Sequence, residues 1–229
     1  MRKKRGLSLI LCVKLFWLTF LLAFFPFVLA TPQDRTMIDP NKEKVIVSMR
    51  GVSFDIPLGY FFHDASFTRG SWPVPSKVRS LERSLVITAA IDDLHPWTRE
   101  TAASFASGRG TMRIRLDTNT PVNWLDNYMK YRYKTLYESE LAGSLDGLKG
   151  YGSKYGGPNE VSYLPSLPLK KPYLILRCGN FRSDTRMCEV TFDYRDGIIV
   201  EYALPVWKMK DWRLTHQSVV NLLNSFISN

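Results

Sequence analysis

The sequence predicts an α+β fold, a mostly antiparallel β-sheet with one long helix and a C-terminal helix packed on it. Three patterns lead to this prediction. Residues 173–204 alternate as strands separated by turn residues, whereas residues 121–141 and 211–227 repeat apolar side chains at helical spacing. With 229 residues, 45% of them hydrophobic, the chain is long enough to bury one sizeable core.

The N-terminal segment, residues 1–30, is typical of a secretory signal peptide. Basic residues at positions 2–5 precede an apolar run at 15–28, which ends in a small-residue cleavage site at Ala30. The alternative is an uncleaved membrane anchor over residues 7–29. Either alternative places the folded part outside the cytoplasm, so we expect a periplasmic protein that is free or anchored in the inner membrane.

The same segment carries part of the positive charge. Five lysines and arginines and no acid precede Thr31, which leaves +5 of the formal net charge of +10 for the rest of the chain. A charge of this size does not indicate nucleic-acid binding, and we expect none.

Composition also predicts the domain boundaries. Residues 31–43 are polar, contain two prolines and are expected to form a linker. Residues 44–229 are expected to form a single α+β domain. Glycine, proline and tyrosine are frequent at 143–172, which predicts a long loop of the functional or mobile kind within this domain.

The domain begins with strands. Val45–Met49 and Val52–Ile56 lie on either side of Arg50-Gly51, and they form a tight hairpin or one bent strand. Ser84–Ile91 is apolar on both faces, which predicts a central strand.

A short helix and a half-buried strand follow. Thr98 is a suitable N-cap, Phe105 faces the core, and Gly108 ends the helix. Thr111–Leu116 then alternates apolar residues with arginines, which predicts a strand with a basic outer face.

The long helix is predicted over Pro121–Leu141. Thr120 is an N-cap, and Pro121 is at the first helical position, where proline is favoured. The apolar positions that recur at helical spacing are Val122, Leu125, Met129 and Leu136.

Two cysteines are expected to anchor the C-terminal half. Cys178 ends one apolar run, Cys188 begins an alternating one, and the residues between them are turn formers. Both cysteines lie on the apolar face of their strand, so the sequence predicts a hairpin closed by a Cys178–Cys188 disulfide. Such a bridge is consistent with an oxidising compartment outside the cytoplasm.

The next hairpin has two possible registers. A two-residue Asp-Gly turn would pair Phe192 with Glu201 and place an apolar side chain beside a charged one. A three-residue loop with Gly197 in the left-handed region gives one continuous apolar face, and we choose it. Its pairs are Tyr194 with Ile198, Phe192 with Val200, and Val190 with Tyr202.

Few residues suggest catalysis. His63, His95 and His216 stand alone, His216 being assigned to a helix surface, and none has metal-ligand spacing. Asp92-Asp93 is interpreted as a charged turn, and the carboxylates of the cysteine hairpin, including Glu189, as solvated. We therefore predict a protein that is not an enzyme and that uses no metal and no cofactor.

Two features suggest recognition of a protein partner. Arginines on an outer strand face suit an acidic protein surface or phosphate groups, and tyrosines on a glycine-rich backbone give adaptable contacts. An ordinary solvated face and a disordered insertion remain the respective alternatives. The candidate partner-binding residues are Arg109, Arg113, Arg115, Tyr151, Tyr155 and Tyr163.

Parts of the chain resemble known families. The strand end at residues 56–60 and the order of elements are similar to the Mog1/PsbP/DcrB-like α+β sandwich. Cys178, Cys188, the strand pair at 190–204 and the helix from Trp212 to Phe226 resemble exported immunity proteins of bacterial type VI secretion systems. The resemblance covers mainly the C-terminal part.

Export, a protein-binding surface and this resemblance lead to one functional hypothesis. The chain is expected to be an exported, non-catalytic immunity-type protein that neutralises a secreted toxic effector in the periplasm. The alternative is a membrane-associated envelope accessory protein that contacts anionic lipid or a transport complex, with membrane contact through its N-terminus.

Overall fold

Strands build most of the fold in the computed structural model. The structure describes residues 42–62, 79–80, 83–118, 136–138, 143–154, 160–165, 174–179, 187–195 and 197–228. All of them belong to one compact unit, Asp39–Asn229. Within these residues, no helix is long and apolar enough to cross a membrane.

The strands form a small sheet and a large one. The small sheet has the order β2-β1-β3, with strands β1 (Lys44–Met49), β2 (Val52–Pro57) and β3 (Arg79–Ser80). The large sheet has the order β4-β5-β12-β11-β10-β9-β8-β6, with β7 added beside β8. Its strands are β4 (Ser84–Ala90), β5 (Thr111–Asp117), β6 (Leu136–Glu138), β7 (Ser144–Leu145), β8 (Leu148–Ser153), β9 (Val161–Leu164), β10 (Leu174–Gly179), β11 (Met187–Arg195) and β12 (Ile198–Pro205).

Helices are few in the part of the chain that the structure describes. Helix α1 (Ala102–Ser107) lies between β4 and β5, and α2 (Trp212–Ser225) follows β12. Two 3-10 helices occupy Leu58–Phe61 and Val206–Asp211. Neighbouring strands of the large sheet pair antiparallel. The predicted α+β fold with a mostly antiparallel sheet and a C-terminal helix is therefore confirmed.

One face of the large sheet, the core face, carries the apolar residues of each strand. Ile114, Val200 and Val190 on this face are fully buried. They belong to one hydrophobic cluster with Val219 and Leu223 of α2 and with β1 and β2. Removal of one such side chain typically costs 2–5 kcal/mol, so this contact holds α2 and the small sheet in place.

The end of the chain extends the small sheet. The backbone N–H of Asp55 donates to the carbonyl of Phe226 at 2.6 Å, and that of Ser228 donates to the carbonyl of Ser53 at 3.0 Å. A β-bridge joins Phe54 and Ile227 between these two bonds. The C-terminus of α2 is therefore tied to strand β2.

The β1–β2 connection is a tight hairpin and not one bent strand, which was the other alternative for this segment. Arg50 and Gly51 have φ values of 50° and 82°. Two consecutive residues with positive φ are the signature of the hairpin turn that matches strand twist. Arg50 tolerates this geometry while its side chain donates to the carbonyl of Thr118 at 3.1 Å.

The predicted disulfide is confirmed. Cys178 and Cys188 are bonded and directly opposite each other in the β10–β11 register. Cys188 is buried and Cys178 packs against the same core cluster, so the bridge lies at the core face.

The predicted β11–β12 register is confirmed in part. Phe192 pairs with Val200, Val190 pairs with Tyr202, and Gly197 has a φ of 75°. The pairing of Tyr194 with Ile198 is wrong, because a bulge places Arg195 opposite Ile198. The bulge lets the Tyr194 hydroxyl reach Asn224 of α2 at 2.8 Å.

The sequence predicts a central position for strand β4, and this prediction is wrong. The strand lies at the edge of the described sheet, beside β5. Its core face is buried, and Thr88 on the opposite face is also buried. Apolar residues on both faces indicate that both faces are covered, and they do not report whether both edges are paired.

The prediction for residues 136–164 also needs correction. Leu136–Glu138 falls within the predicted long helix, but it is strand β6 and pairs with β8. Strands β7, β8 and β9 occupy parts of the expected loop at 143–172. The rest of the predicted helix, residues 121–135 and 139–141, lies outside the described residues.

A glycine makes room for an aromatic side chain between two of these strands. A Cβ atom on Gly152 would lie 2.4 Å from Cζ of Tyr137, so the missing side chain makes room for the tyrosine ring of the neighbouring strand. An aromatic ring that covers a glycine compensates for the side chain that glycine lacks. Because glycine weakens a strand, the sequence alone gives little indication of a strand here.

Candidate functional site

The face of the large sheet opposite the core face carries charged residues, and we call it the charged face. Arg115 of β5 pairs there with Asp117 on its own strand and lies 3.7 Å from Glu201 of β12. Its Nε also donates to Oγ of Ser84 at 3.1 Å. Arg115 is therefore held in place by three neighbours.

The ion pairs continue across the sheet. Arg177 of β10 donates to Glu189 of β11 at 2.7 Å. Burial raises the pKa of Glu201, and the negative charges of Glu189 and Asp117 raise it further, whereas Arg115 and Arg177 lower it. The expectation that Glu189 is merely solvated is thus wrong, because it belongs to this network.

A cleft opens at the end of the charged face where β5 begins, and we call it the α1 cleft. Its volume is about 280 Å³. The residues that line it come from β4, β5, α1, β11 and β12, and from the segment after the first 3-10 helix. They are Phe62, Thr88, Phe105, Gly108, Thr111, Met112, Arg113, Met187 and Ala203.

Two of the three predicted arginines lie at this cleft or beside it. Arg113 lines the cleft and its residue is exposed. Arg109 is also exposed and directly follows Gly108, another lining residue. Arg115 lies farther along the same face and is engaged by acids. The structure therefore brings Arg109 and Arg113 together with an apolar cavity.

The predicted tyrosines are not brought together. Tyr151 is buried at 5% exposure, and the ammonium of Lys149 lies 5.9 Å from the centre of its ring. Tyr163 is partly buried, and burial raises its pKa. Tyr151 pairs with Ser162, whereas Tyr163 pairs with Gly150, so the two rings point to opposite faces of the sheet. Tyr155 lies outside the described residues.

His216 is not a surface residue of α2, as the sequence analysis assigned it. Its ring lies 4.6 Å from that of Phe192, and its Nδ1 lies 3.2 Å from the hydroxyl of Tyr202. Burial lowers the pKa of His216. These contacts make it a packing residue between α2 and the core face.

The remaining histidine and carboxylate candidates have structural contacts. His95 lies within 3.7 Å of Asp93, and its Nδ1 lies 2.8 Å from the carbonyl of Pro96. Asp92 pairs with Lys208 at 2.6 Å. Within the described ranges, no three His, Cys, Asp or Glu residues are grouped so that they could hold a metal ion. His63 lies outside the described residues.

The structure also reveals exposed apolar side chains that sequence reasoning missed. Trp207 is 63% exposed and Leu214 is 72% exposed. Trp207 lies two residues after Pro205, which pairs with Met187 of the α1 cleft. Trp207 falls outside the apolar spacing of α2, and this mismatch is the signal that could have identified it. The walls of the cleft come from distant segments, so no local pattern predicts them.

Sequence comparisons place the chain in no known group. No protein-family model matches the chain, and no curated protein matches it in sequence.

Comparisons of structure do find similar folds. An immunity protein of the type IV secretion system of Stenotrophomonas maltophilia is 16% identical, with a TM-score of 0.54 over 82% of this chain and 94% of its own. The iron-regulated outer membrane lipoprotein FrpD of Neisseria meningitidis is also 16% identical, with a TM-score of 0.53 over 83% of this chain and 95% of its own. At this identity the likeness concerns the fold alone.

The chain therefore has a fold that a secretion-system immunity protein also has. The similar immunity protein belongs to a type IV secretion system, whereas the sequence analysis expected a type VI system and a Mog1/PsbP/DcrB-like sandwich.

Proposed function

We propose that this chain is an exported, non-catalytic binding protein of immunity type that neutralises a secreted toxic effector in the periplasm. The observation that carries the proposal is the fold shared with an immunity protein over most of both chains. The type VI system inferred from sequence and the type IV system of the similar protein are alternatives within this proposal.

The disulfide supports the compartment. Disulfides such as Cys178–Cys188 persist in oxidising compartments and are rare in the cytoplasm. Together with the signal-like residues 1–30, the bridge favours a folded domain that acts after export.

The charged face supports a binding role. Arg109 and Arg113 are exposed beside the apolar α1 cleft, and arginine next to apolar surface is common in protein interfaces. We retain these two as proposed contact residues. Arg115 is occupied by Asp117 and Glu201, and Tyr151 is buried, so their proposed role is to hold the surface in shape.

The test is direct binding to the secreted protein encoded by the adjacent gene. The full chain, exported through its own N-terminus and purified, is titrated calorimetrically with that protein, and we expect a one-to-one complex with a Kd of about 1 nM to 1 μM. A matched loss of the effector's toxic activity is expected at equimolar ratio. Titration without heat and without inhibition would contradict the proposal.

A second candidate is an envelope accessory protein, which the likeness to an outer membrane lipoprotein favours. This function predicts that the protein stays in the membrane fraction and forms a complex there. Fractionation of native cells into membrane and soluble periplasmic extracts distinguishes the two candidates. An immunity protein whose signal peptide is cleaved should be found in the soluble extract.

A further inference from the structure

The side chain of His216 contacts aromatic rings where α2 meets the core face. Its ring lies 4.6 Å from that of Phe192 in an edge-to-face contact and 6.5 Å from that of Tyr202 in a nearly parallel one. The ring of Trp212, about one turn earlier in α2, lies at 6.2 Å. Phe192, Tyr202 and Trp212 are all buried. The imidazole is therefore part of the contact that holds the N-terminal half of α2 on strands β11 and β12.

One nitrogen of the imidazole meets a buried hydroxyl. Nδ1 of His216 lies 3.2 Å from the hydroxyl oxygen of Tyr202, a residue that is 2% exposed. A neutral imidazole offers an acceptor to this hydroxyl, whereas an imidazolium has an N–H on both nitrogens and accepts nothing. After protonation, the O–H of Tyr202 would have to turn away from His216. A buried donor without an acceptor costs free energy, so this contact favours the neutral ring.

The charged residues that are close to the ring in sequence do not compensate for a proton on it. Lys210 and Asp211 precede α2 and are exposed. Arg213, the charged residue within α2, lies 2.9 Å from Asp146 of the β7–β8 turn, and its guanidinium lies 5.8 Å from the ring centre of Trp212. The acid and the base of this pair are therefore engaged with each other.

The strands that face the ring also offer no carboxylate. Along the described strands β8 to β12, the titratable side chains on the core face are Tyr163, Tyr194 and Tyr202, and Arg195 lies at the end of β11. Tyr194 and Arg195 bind Asn224 near the C-terminal end of α2, at 2.8 and 3.0 Å. An imidazolium would therefore have no anionic partner among these strands.

The titration of His216 has the matching sign. Burial lowers the pKa of His216 below its ordinary value of about 6.5. Because the unfolded chain takes up a proton more readily, the contribution of the neutral ring to stability is complete above about pH 6.5. This contribution is lost as the pH falls through the lower value of the folded state.

We propose that His216 makes the attachment of α2 acid-sensitive: the neutral imidazole holds the helix on β11 and β12, and uptake of a proton favours a state in which the N-terminal half of the helix has opened. The C-terminal end stays attached in this state, because the N–H of Asp55 in β2 donates to the carbonyl of Phe226. Opening would expose the rings of Phe192 and Tyr202 to solvent. This switch belongs to the fold and does not rest on the proposed function.

Hydrogen exchange of the backbone amides tests the switch directly. The exported and purified chain is measured by NMR at pH 7 and pH 5, and each rate is divided by the intrinsic exchange rate at that pH to give the opening constant. Opening takes up one proton, so the opening constant of the amides at 216–223 should rise up to about tenfold for each pH unit below about 6.5. The amides of strand β4, which β5 separates from β12, should keep their opening constants.

Two variants distinguish a switch from a packing role. His216→Asn keeps an acceptor for the Tyr202 hydroxyl and does not titrate in this range, so the opening of α2 should be the same at both pH values. His216→Phe fills the same space without an acceptor and should also lose the response to acid, whatever its overall stability. A packing role alone would change the level of opening and leave its dependence on pH in place. His95→Asn is the matched control, because His95 lies on a loop beside Asp93, and it should keep the response.

Four results would overturn the inference. The first is an opening constant of α2 in the unchanged protein that is equal at pH 7 and pH 5. The second is an acid response that survives in both His216 variants, and the third is a response that is lost in His95→Asn. The fourth is an equal rise in strand β4, which would assign the acid sensitivity to the whole domain instead of the helix.

Discussion

Gly152 and Tyr137 show how a single missing side chain directs local structure. The tyrosine ring of β6 covers the glycine of β8, and its hydroxyl oxygen lies 2.6 Å from the position of an added Cβ. A contact this close requires one partner to move. Because Tyr137 is 49% exposed, the ring can move into solvent.

The first prediction concerns this pair. Gly152→Ala should lower the free energy of unfolding by up to about 1 kcal/mol, because it displaces the ring and removes a cross-strand contact. Tyr137→Ala should cost a similar amount, and the double variant should cost less than the sum. Urea denaturation measures all three, with exposed Lys154→Ala as control. Additive losses in the double-mutant cycle would show that the two residues are not coupled.

Glu201 gives a prediction about pH. Burial first, and then Glu189 and Asp117, raise its pKa above the ordinary glutamate value. A group whose pKa is raised on folding favours the folded state below the unfolded pKa, and this contribution is lost as pH rises through the folded value.

Glutamine does not ionise, so the Glu201→Gln variant should not lose this stability as the pH rises. The unfolding free energy of the variant minus that of the unchanged protein should therefore be larger at about pH 7 than at about pH 4, where Glu201 is largely protonated in the folded state. Glu189→Gln should instead cost up to about 1 kcal/mol at pH 7, because it breaks the pair with Arg177. Urea denaturation at both pH values decides the question. If this difference in unfolding free energy falls from pH 4 to pH 7, the raised pKa of Glu201 is contradicted.

At the scale of elements, the β10–β11 hairpin depends on its disulfide. The two cysteines are 10 residues apart, and the loop between them is short. In the chain-entropy model a closed loop of this length stabilises the folded state by about 3 kcal/mol.

Removal of the bridge is the next prediction. The double variant Cys178→Ala and Cys188→Ala should lose about 3 kcal/mol of unfolding free energy, and reductant should destabilise the unchanged protein but not the variant. Thermal denaturation with and without reductant measures both effects. Equal melting temperatures for the unchanged protein under the two conditions would show that the bridge does not stabilise the fold.

The same elements show what the sequence could and could not predict. Alternation alone specified the pairs Phe192–Val200 and Val190–Tyr202, because a slip of one residue would turn the apolar face outward. Alternation could not predict the bulge between Asp193 and Arg195, nor the hydrogen bond from the Tyr194 hydroxyl to Asn224 of a distant helix. It also could not predict β8, because Gly150 and Gly152 leave this strand with few side chains, and Tyr137 of the neighbouring strand lies over Gly152.

The candidate site was predicted less completely than the fold. The alternating pattern of β5 placed Arg113 and Arg115 on one exposed face, as the structure shows. It could not distinguish them, because the acids that engage Arg115 come from β5 and from distant β12. The apolar partners of Arg113 in the cleft come from five separate segments, which only the folded chain brings together.

At the scale of the whole molecule, the two faces of the large sheet differ in what covers them. The core face is occupied by α2 and the small sheet, which join it in one hydrophobic cluster. The charged face presents an ion-pair network and the α1 cleft with exposed Arg113. This division is consistent with the recognition surface that we propose at one end of the sheet.

The most direct measurement of the central claim is rescue of cells from the adjacent-gene product when that product is directed to the periplasm. The account predicts that co-expression of the full chain restores growth, whereas a chain that begins at Thr31 and stays in the cytoplasm does not. Arg109→Ala, a change at a proposed contact residue, should reduce the rescue in the full chain, and Lys44→Ala should not. If the full chain is produced, exported and disulfide-bonded and growth is still not restored, the immunity function is contradicted.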